Sequence, residues 1–159
     1  MAVNNLTYSK NGLALTEQFE GCNLNAYQDQ VGVWTIGYGH TGKDVYPGLA
    51  ITLNQADALL ASDVAASATF VNQVVTVELM QDEFDALVDF VFNLGRGAFA
   101  GSTLLKDINT SNFNAAASQF ELWDHAGGQV VAGLLRRRQA EEALFTQAQA
   151  AGNGGTTNT

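Results

Sequence analysis

Apolar residues recur at helical spacing on both sides of a stretch, roughly 25–50, that follows a different rhythm. Leu87, Val88, Val91 and Phe92 follow Phe84 at i+3, i+4, i+7 and i+8. That spacing predicts a helix over roughly 80–94 with one buried face and Gly95 as its stop. Ala56, Leu59, Leu60, Val64 and Ala68 repeat the pattern over roughly 53–72, behind a capping box of Thr52 and Gln55. Nearer the N-terminus, Ser9 can cap a helix over roughly 10–20 that ends at Gly21. Leu15 and Phe19 would form its apolar stripe, with Leu13, Glu17 and Glu20 on another face. Downstream, Ser102 caps a short helix to about Asp107, and Asn112 caps another carrying Ala116, Phe120 and Trp123. Glycine-rich 125–133 predicts a hairpin or loop, and a last helix covers roughly 134–150.

Within 25–50 the helical period disappears. Val31-Gly32 and Pro47-Gly48 read as turns. From Val33 to His40 the residues should alternate between two faces, with Val33, Thr35, Gly37 and Gly39 opposite Trp34, Ile36, Tyr38 and His40. A β segment framed by helices makes the chain α+β, and the 53–72 helix is expected to join the β region to a helical lobe.

Length and composition narrow the picture. A chain of 159 residues is one ordinary domain, and 47% hydrophobic residues suffice for its core. Cys22 is the single cysteine, so no internal disulfide can form, as suits a reducing compartment. No apolar run approaches the ~18 residues of a membrane span. Met1-Ala2-Val3-Asn4-Asn5 does not read as a secretory signal. The tail, 152–159, is glycine- and threonine-rich and is expected to be disordered. A net charge of −9 argues against nucleic acid as a partner. Arg136-Arg137-Arg138 reads as a helix start with ion-paired arginines. Two histidines make a metal site unexpected; His40 is read as a structural imidazole paired with a carboxylate or carbonyl, and His125 as exposed.

The candidate chemistry lies at the junction of the first helix and the β segment. Glu20 falls in the helix's last turn, Asp29 precedes the hairpin and Thr35 lies on it. Glycoside hydrolysis needs a proton for the leaving oxygen and a second carboxylate to stabilise positive charge at the anomeric carbon and to attack or direct water. Two carboxylates on different elements, with a hydroxyl beside them, match that need.

The run Glu20-Gly21-Cys22-Asn23-Leu24-Asn25-Ala26-Tyr27-Gln28-Asp29, with Trp34-Thr35-Ile36-Gly37-Tyr38-Gly39-His40-Thr41, closely resembles the phage-type lysozymes, the endolysins of glycoside hydrolase family 24. Phe84 to Gly95 resembles that family's core helix, and Ser102-Thr103-Leu104-Leu105 its next helix start. Trp123, Gly133-Leu134 and Arg137-Arg138 with Glu141 resemble its C-terminal signature.

The resemblance implies a two-lobed lysozyme-like fold within 1–151: a small β lobe at about 22–51, and a larger helical lobe at about 73–151 that includes the 10–20 helix. It implies Glu20 as proton donor, Asp29 as second carboxylate and Thr35 as its partner in positioning water. Thr41, Phe92 and Ser102 match substrate contacts. The implied activity is cleavage of the β-1,4 bond between N-acetylmuramic acid and N-acetylglucosamine in peptidoglycan, by a monomer without metal or organic cofactor or membrane anchor. Such a protein would accumulate in the host cytoplasm until another protein perforates the membrane. A binding module that has lost catalysis, or an enzyme acting on chitin-like polymers, are the alternatives. Many family members are basic, and the acidity of this chain departs from them.

Overall fold

The computed structural model describes residues 2–157. Helix α1, Lys10–Glu20, starts where the Ser9 hydroxyl accepts from the Gly12 N–H at 3.3 Å. It ends at Gly21, whose φ of 70° an L side chain would resist. Its inward face is Gly12 and Thr16; the expected Leu15–Phe19 stripe is half-buried. The physical reason lies on the neighbouring helix, which presents carboxylates to α1. The Ser9 N–H donates to Asp85 Oδ1 at 3.2 Å, its hydroxyl donates to Asp85 Oδ2, and Thr16 Oγ1 donates to Asp89 Oδ1 at 2.8 Å. Small and hydroxyl-bearing residues therefore face inward. Tyr8 covers Gly12 so closely that an added Cβ would lie 2.3 Å from its ring.

Strands β1 (Asn23–Gln28), β2 (Trp34–Gly37) and β3 (His40–Thr41) form an antiparallel sheet in that order. The expected run from Val33 to His40 is two strands, because Tyr38 and Gly39 turn the chain, Gly39 at a φ of 89°. The expected alternation also fails: Thr35, Ile36, Gly37 and Tyr38 are all buried. β2 is the middle strand, and helix α2 (Leu53–Val74) lies so near that a Cβ on Gly37 would touch Ala56 at 3.5 Å. The Thr52–Gln55 capping box opens α2 as expected, with reciprocal bonds of 3.1 and 2.9 Å. His40 ties the sheet to α2. Its Nδ1 lies 2.8 Å from Asp63 Oδ2, and its Nε2 lies 2.9 Å from Asp44 Oδ2.

Helix α3 (Gln81–Leu94) is the axis of the helical lobe. Every residue from Glu83 to Val91 is buried, where periodicity predicted one buried face. The extra burial follows from its surroundings. α1 and α2 pack on it, as do α4 (Arg96–Ala100) and α7 (Ala132–Thr157), while α5 (Thr103–Asn109) and α6 (Phe113–Gln119) complete the lobe. Phe90 meets the rings of Phe99, Phe120 and Trp123 edge-on, with centroids 6.0, 5.8 and 5.6 Å away. Each fully buried phenylalanine contributes about 1.5–3 kcal/mol, so packing dominates the stability of α3. A hairpin of β4 (His125–Ala126) and β5 (Gln129–Val130) leads into α7. The backbone of α7 continues to Thr157 instead of stopping near 150. The tail expected at 152–159 is helical as far as that point, and its residues 158 and 159 lie outside the described residues. No described helix is long and apolar enough to cross a membrane.

Candidate active site

Glu20 closes α1, so its side chain projects past the last turn into a recess of about 670 Å³. Phe19, Asn93, Val131, Leu134 and Arg137 line the same recess, which brings α1, α3 and the start of α7 together. The Glu20 side chain keeps 23% of its surface exposed. Its two oxygens have different neighbours. Arg137 Nη1 donates to Oε2 at 2.9 Å, whereas Oε1 faces the β2–β3 turn, where a Cβ on Gly39 would lie 3.7 Å away. Glycine at 39 thus leaves room beside the carboxyl as well as allowing the turn.

Arg137 is gripped from behind. Its Nε donates to Asp89 Oδ2 at 2.9 Å and its Nη2 to Asp89 Oδ1 at 2.8 Å, the two-pronged geometry that suits a guanidinium to a carboxylate. Asp89 is fully buried. Burial alone would push its carboxyl up, but hydrogen bonds from Glu141 and Arg137 outweigh that and hold it below the ordinary aspartate value. The fully buried Glu141 shifts well upward, first through burial and then through its hydrogen bond with Asp89 and that carboxylate's charge. Arg138 Nη2 donates to Glu141 Oε2 at 2.9 Å and to Asn93 Oδ1 at 2.7 Å, and its guanidinium lies 5.3 Å from the Phe90 ring centre. Two members of the basic triplet are therefore interior groups with anionic partners, as the ion-paired reading expected.

Asp29 is built by the opposite means. It occupies the exposed β1–β2 turn, where Oδ1 accepts from the N–H groups of Val31 and Val33, both at 2.9 Å. This Asx-type turn needs a short side-chain acceptor. Thr35 Oγ1 donates to the carbonyl of the same Val33 at 2.9 Å. One residue's backbone thus carries both side chains, Asp29 on its N–H and Thr35 on its carbonyl. With its proton committed to Val33, the Thr35 hydroxyl keeps lone pairs that can accept from water.

The three residues expected to contact substrate separate by setting. Thr41 is exposed and pairs directly with Thr35 in the β2–β3 ladder. Phe92 is half-buried against the core and adjoins Asn93 of the recess. Ser102 is buried as the cap of α5: its hydroxyl accepts from the Leu105 N–H at 3.0 Å and donates to the Phe99 carbonyl at 2.7 Å. Among the described residues no cluster of three His, Cys, Asp or Glu side chains could hold a metal ion. Sequence reasoning missed Asp89 and Asn93 as site residues. A signal existed for Asp89, because carboxylates at 85 and 89 interrupt the otherwise apolar run from Phe84 to Phe92.

A helical body and a small antiparallel sheet joined by one long helix, with a carboxylate ending the first helix, define the lysozyme class of glycoside hydrolases. The phage lysozyme family model matches residues 17–141, and the chain belongs to that family. The endolysin of Bacillus phage PZA is 44% identical over 139 residues, covering 86% of this chain and 54% of that protein, so the chain spans about half that relative's length. A P22 lysozyme variant superposes with a TM-score of 0.84 at 41% identity, covering 89% of this chain and 99% of that one. The muramidase domain of SpmX from Asticaccaulis excentricus superposes at 0.82 with 39% identity, covering 89% and 98%.

Proposed function

We propose that this protein is a muramidase that hydrolyses the β-1,4 bond between N-acetylmuramic acid and N-acetylglucosamine in peptidoglycan, with Glu20 as general acid. The observation that carries the reading is the placement of Glu20, a half-shielded carboxyl with Oε2 held by Arg137 and Oε1 turned toward the β2–β3 turn. In this reading Oε1 carries the proton given to the leaving glycosidic oxygen, while the arginine fixes the rotamer and receives the charge left on the carboxylate. Asp29 stabilises positive charge at the anomeric carbon. Its second oxygen has no hydrogen bond within the described residues, so it can face the sugar while Oδ1 maintains the turn. Thr35, tied to the same residue, accepts a hydrogen bond from the water that completes hydrolysis.

Thr41 extends this surface as a substrate contact beside Thr35, and Phe92 supplies an apolar contact next to Asn93. The committed hydroxyl of Ser102 limits it to forming a wall. The protein acts as a monomer that reaches the wall from the host cytoplasm after another protein opens the membrane. Positively charged transition-state character makes the carboxylates the main catalysts, and general acid help is worth about 10²–10⁴-fold. Glu20→Gln should therefore lose activity by that factor in the clearing of outer-membrane-permeabilised Gram-negative cells. Clearing at the full rate would overturn the assignment of the acid. Mass spectrometry of the digest should show reducing ends at muramic acid. Anhydro ends would replace hydrolysis with transglycosylation, and cleavage confined to N-acetylglucosamine oligomers would move the substrate to chitin-like polymers.

A further inference from the structure

We propose that Asp89 is a positioning residue for the general acid: it orients Arg137 and offsets that arginine's charge, so that Glu20 can keep its proton. This rests on the reading of Glu20 above.

Arg137 has three edges of donors, and the structure assigns them. Nε and Nη2 go to Asp89 and Nη1 goes to Glu20. The Asp89 contact uses both carboxylate oxygens, which fixes the plane of the guanidinium and aims Nη1. Asp89 is fixed in turn. Thr16 Oγ1 donates to its Oδ1, and the Tyr8 hydroxyl lies 2.7 Å from Thr16 Oγ1, forming a relay of hydroxyls into the interior. α1 therefore touches this centre twice, through Thr16 behind it and through Glu20 in front.

Charge makes the arrangement more than a scaffold. A lone arginine 2.9 Å from a carboxyl stabilises the ionised form, which is the wrong state for a proton donor. A buried carboxylate on the far side of the same guanidinium draws part of that field away. Arg137 is faced by Glu20 from α1, by Asp89 from α3, and by Arg138 and Glu141 from its own helix. Tyr8 faces Asp89 from the N-terminal segment. Asp89 Oδ1 lies 2.8 Å from Arg137 Nη2, so Asp89 carries the interior anionic charge nearest Arg137. An asparagine at 89 would keep the size but lose the charge. It would also turn an amide N–H₂ toward one of the arginine donors.

The test is the pH profile of kcat/KM, together with the titration of the Glu20 side-chain carboxyl followed by carbon-13 NMR. Asp89→Asn should move the alkaline limb and the Glu20 midpoint down by about one pH unit, the lower end of what one nearby opposite charge does. A merely structural role would lower Tm and leave both unmoved, and that result overturns the proposal. Should the single variant not fold, Asp89→Asn/Arg137→Gln removes both buried charges together. If Asp89 offsets Arg137, the Glu20 midpoint of the double variant stays within about half a unit of wild type; a rise of one unit or more, the shift expected from losing an unopposed arginine, overturns it. The NMR titration does not require Glu20 to be the acid. If Glu20→Gln stays active while the titration still shifts, the catalytic reading fails and the coupling stands.

Discussion

Glu20 and Asp29 belong to the same short stretch of chain, yet they are held in opposite ways. Glu20 bonds across 117 positions to Arg137, which leans on Asp89, 48 positions from it. Asp29 bonds to backbone groups two and four positions away. One carboxylate is set by the packing of three helices, the other by a single turn. The difference teaches that the two carboxylates of the proposed site can fail separately. Loosening the helical lobe should disorder Glu20 and spare the hairpin, whereas changing the hairpin should displace Asp29 and leave global stability nearly intact.

Breaking the interior side should have the largest effect. Arg138→Met removes a buried cation that pairs with Glu141 and Asn93 and sits over Phe90. Breaking a buried pair costs about 3–5 kcal/mol. Urea denaturation should show that loss, and a change below ~1 kcal/mol would mean that the polar interior is not what holds the helical lobe together.

The hairpin offers the complementary experiment. Asn can accept the Val31 and Val33 N–H groups as Asp does, so Asp29→Asn should change stability by no more than about 0.5 kcal/mol. Its activity should fall roughly 10²-fold or more, because the charge is gone. A variant that lost stability in step with activity would erase the contrast between the two regions.

The smallest effect belongs to His40, the clamp between the sheet and α2. Burial works against its protonation, but the hydrogen bonds that its ring donates to Asp63 and Asp44 prevail, and its pKa lies above the ordinary histidine value. The contribution of a group raised on folding is full below the unfolded value of about 6.5 and fades as pH climbs through the folded value. Wild type should therefore exceed His40→Gln in Tm most clearly near pH 5.5–6 and lose the margin above neutrality. The margin should be under about 1 kcal/mol, because Asp44 and Asp63 keep solvent contact that screens the pairs. A margin that grew with pH would show that the clamp works through a neutral imidazole.

Local signals in the sequence held at most places where a few neighbouring residues satisfy one another, although Asn112 begins α6 without a side-chain cap bond. The Ser9 cap, the Thr52–Gln55 box, the stops at Gly21 and Gly95 and the turn after Asp29 all formed where short-range chemistry placed them. Periodicity served less well where several neighbours converge. It predicted one buried face for α3, which is buried all round, and an apolar stripe for α1, whose inward side is Gly12 and Thr16. The β2 alternation failed for the same reason, as α2 lies against a middle strand.

By itself, then, the sequence determined where α1, α2 and α3 lie and how each begins, the turn carrying Asp29, and the family to which they belong. Each of those depends on bonds or spacings that close within a few residues. Only the tertiary structure decided which oxygen of Glu20 is bound, that Arg137 binds it, and that Asp89 lies behind that arginine. Those choices join α1, α3 and α7. They exist because a buried carboxylate or guanidinium must find its partner wherever packing brings one near.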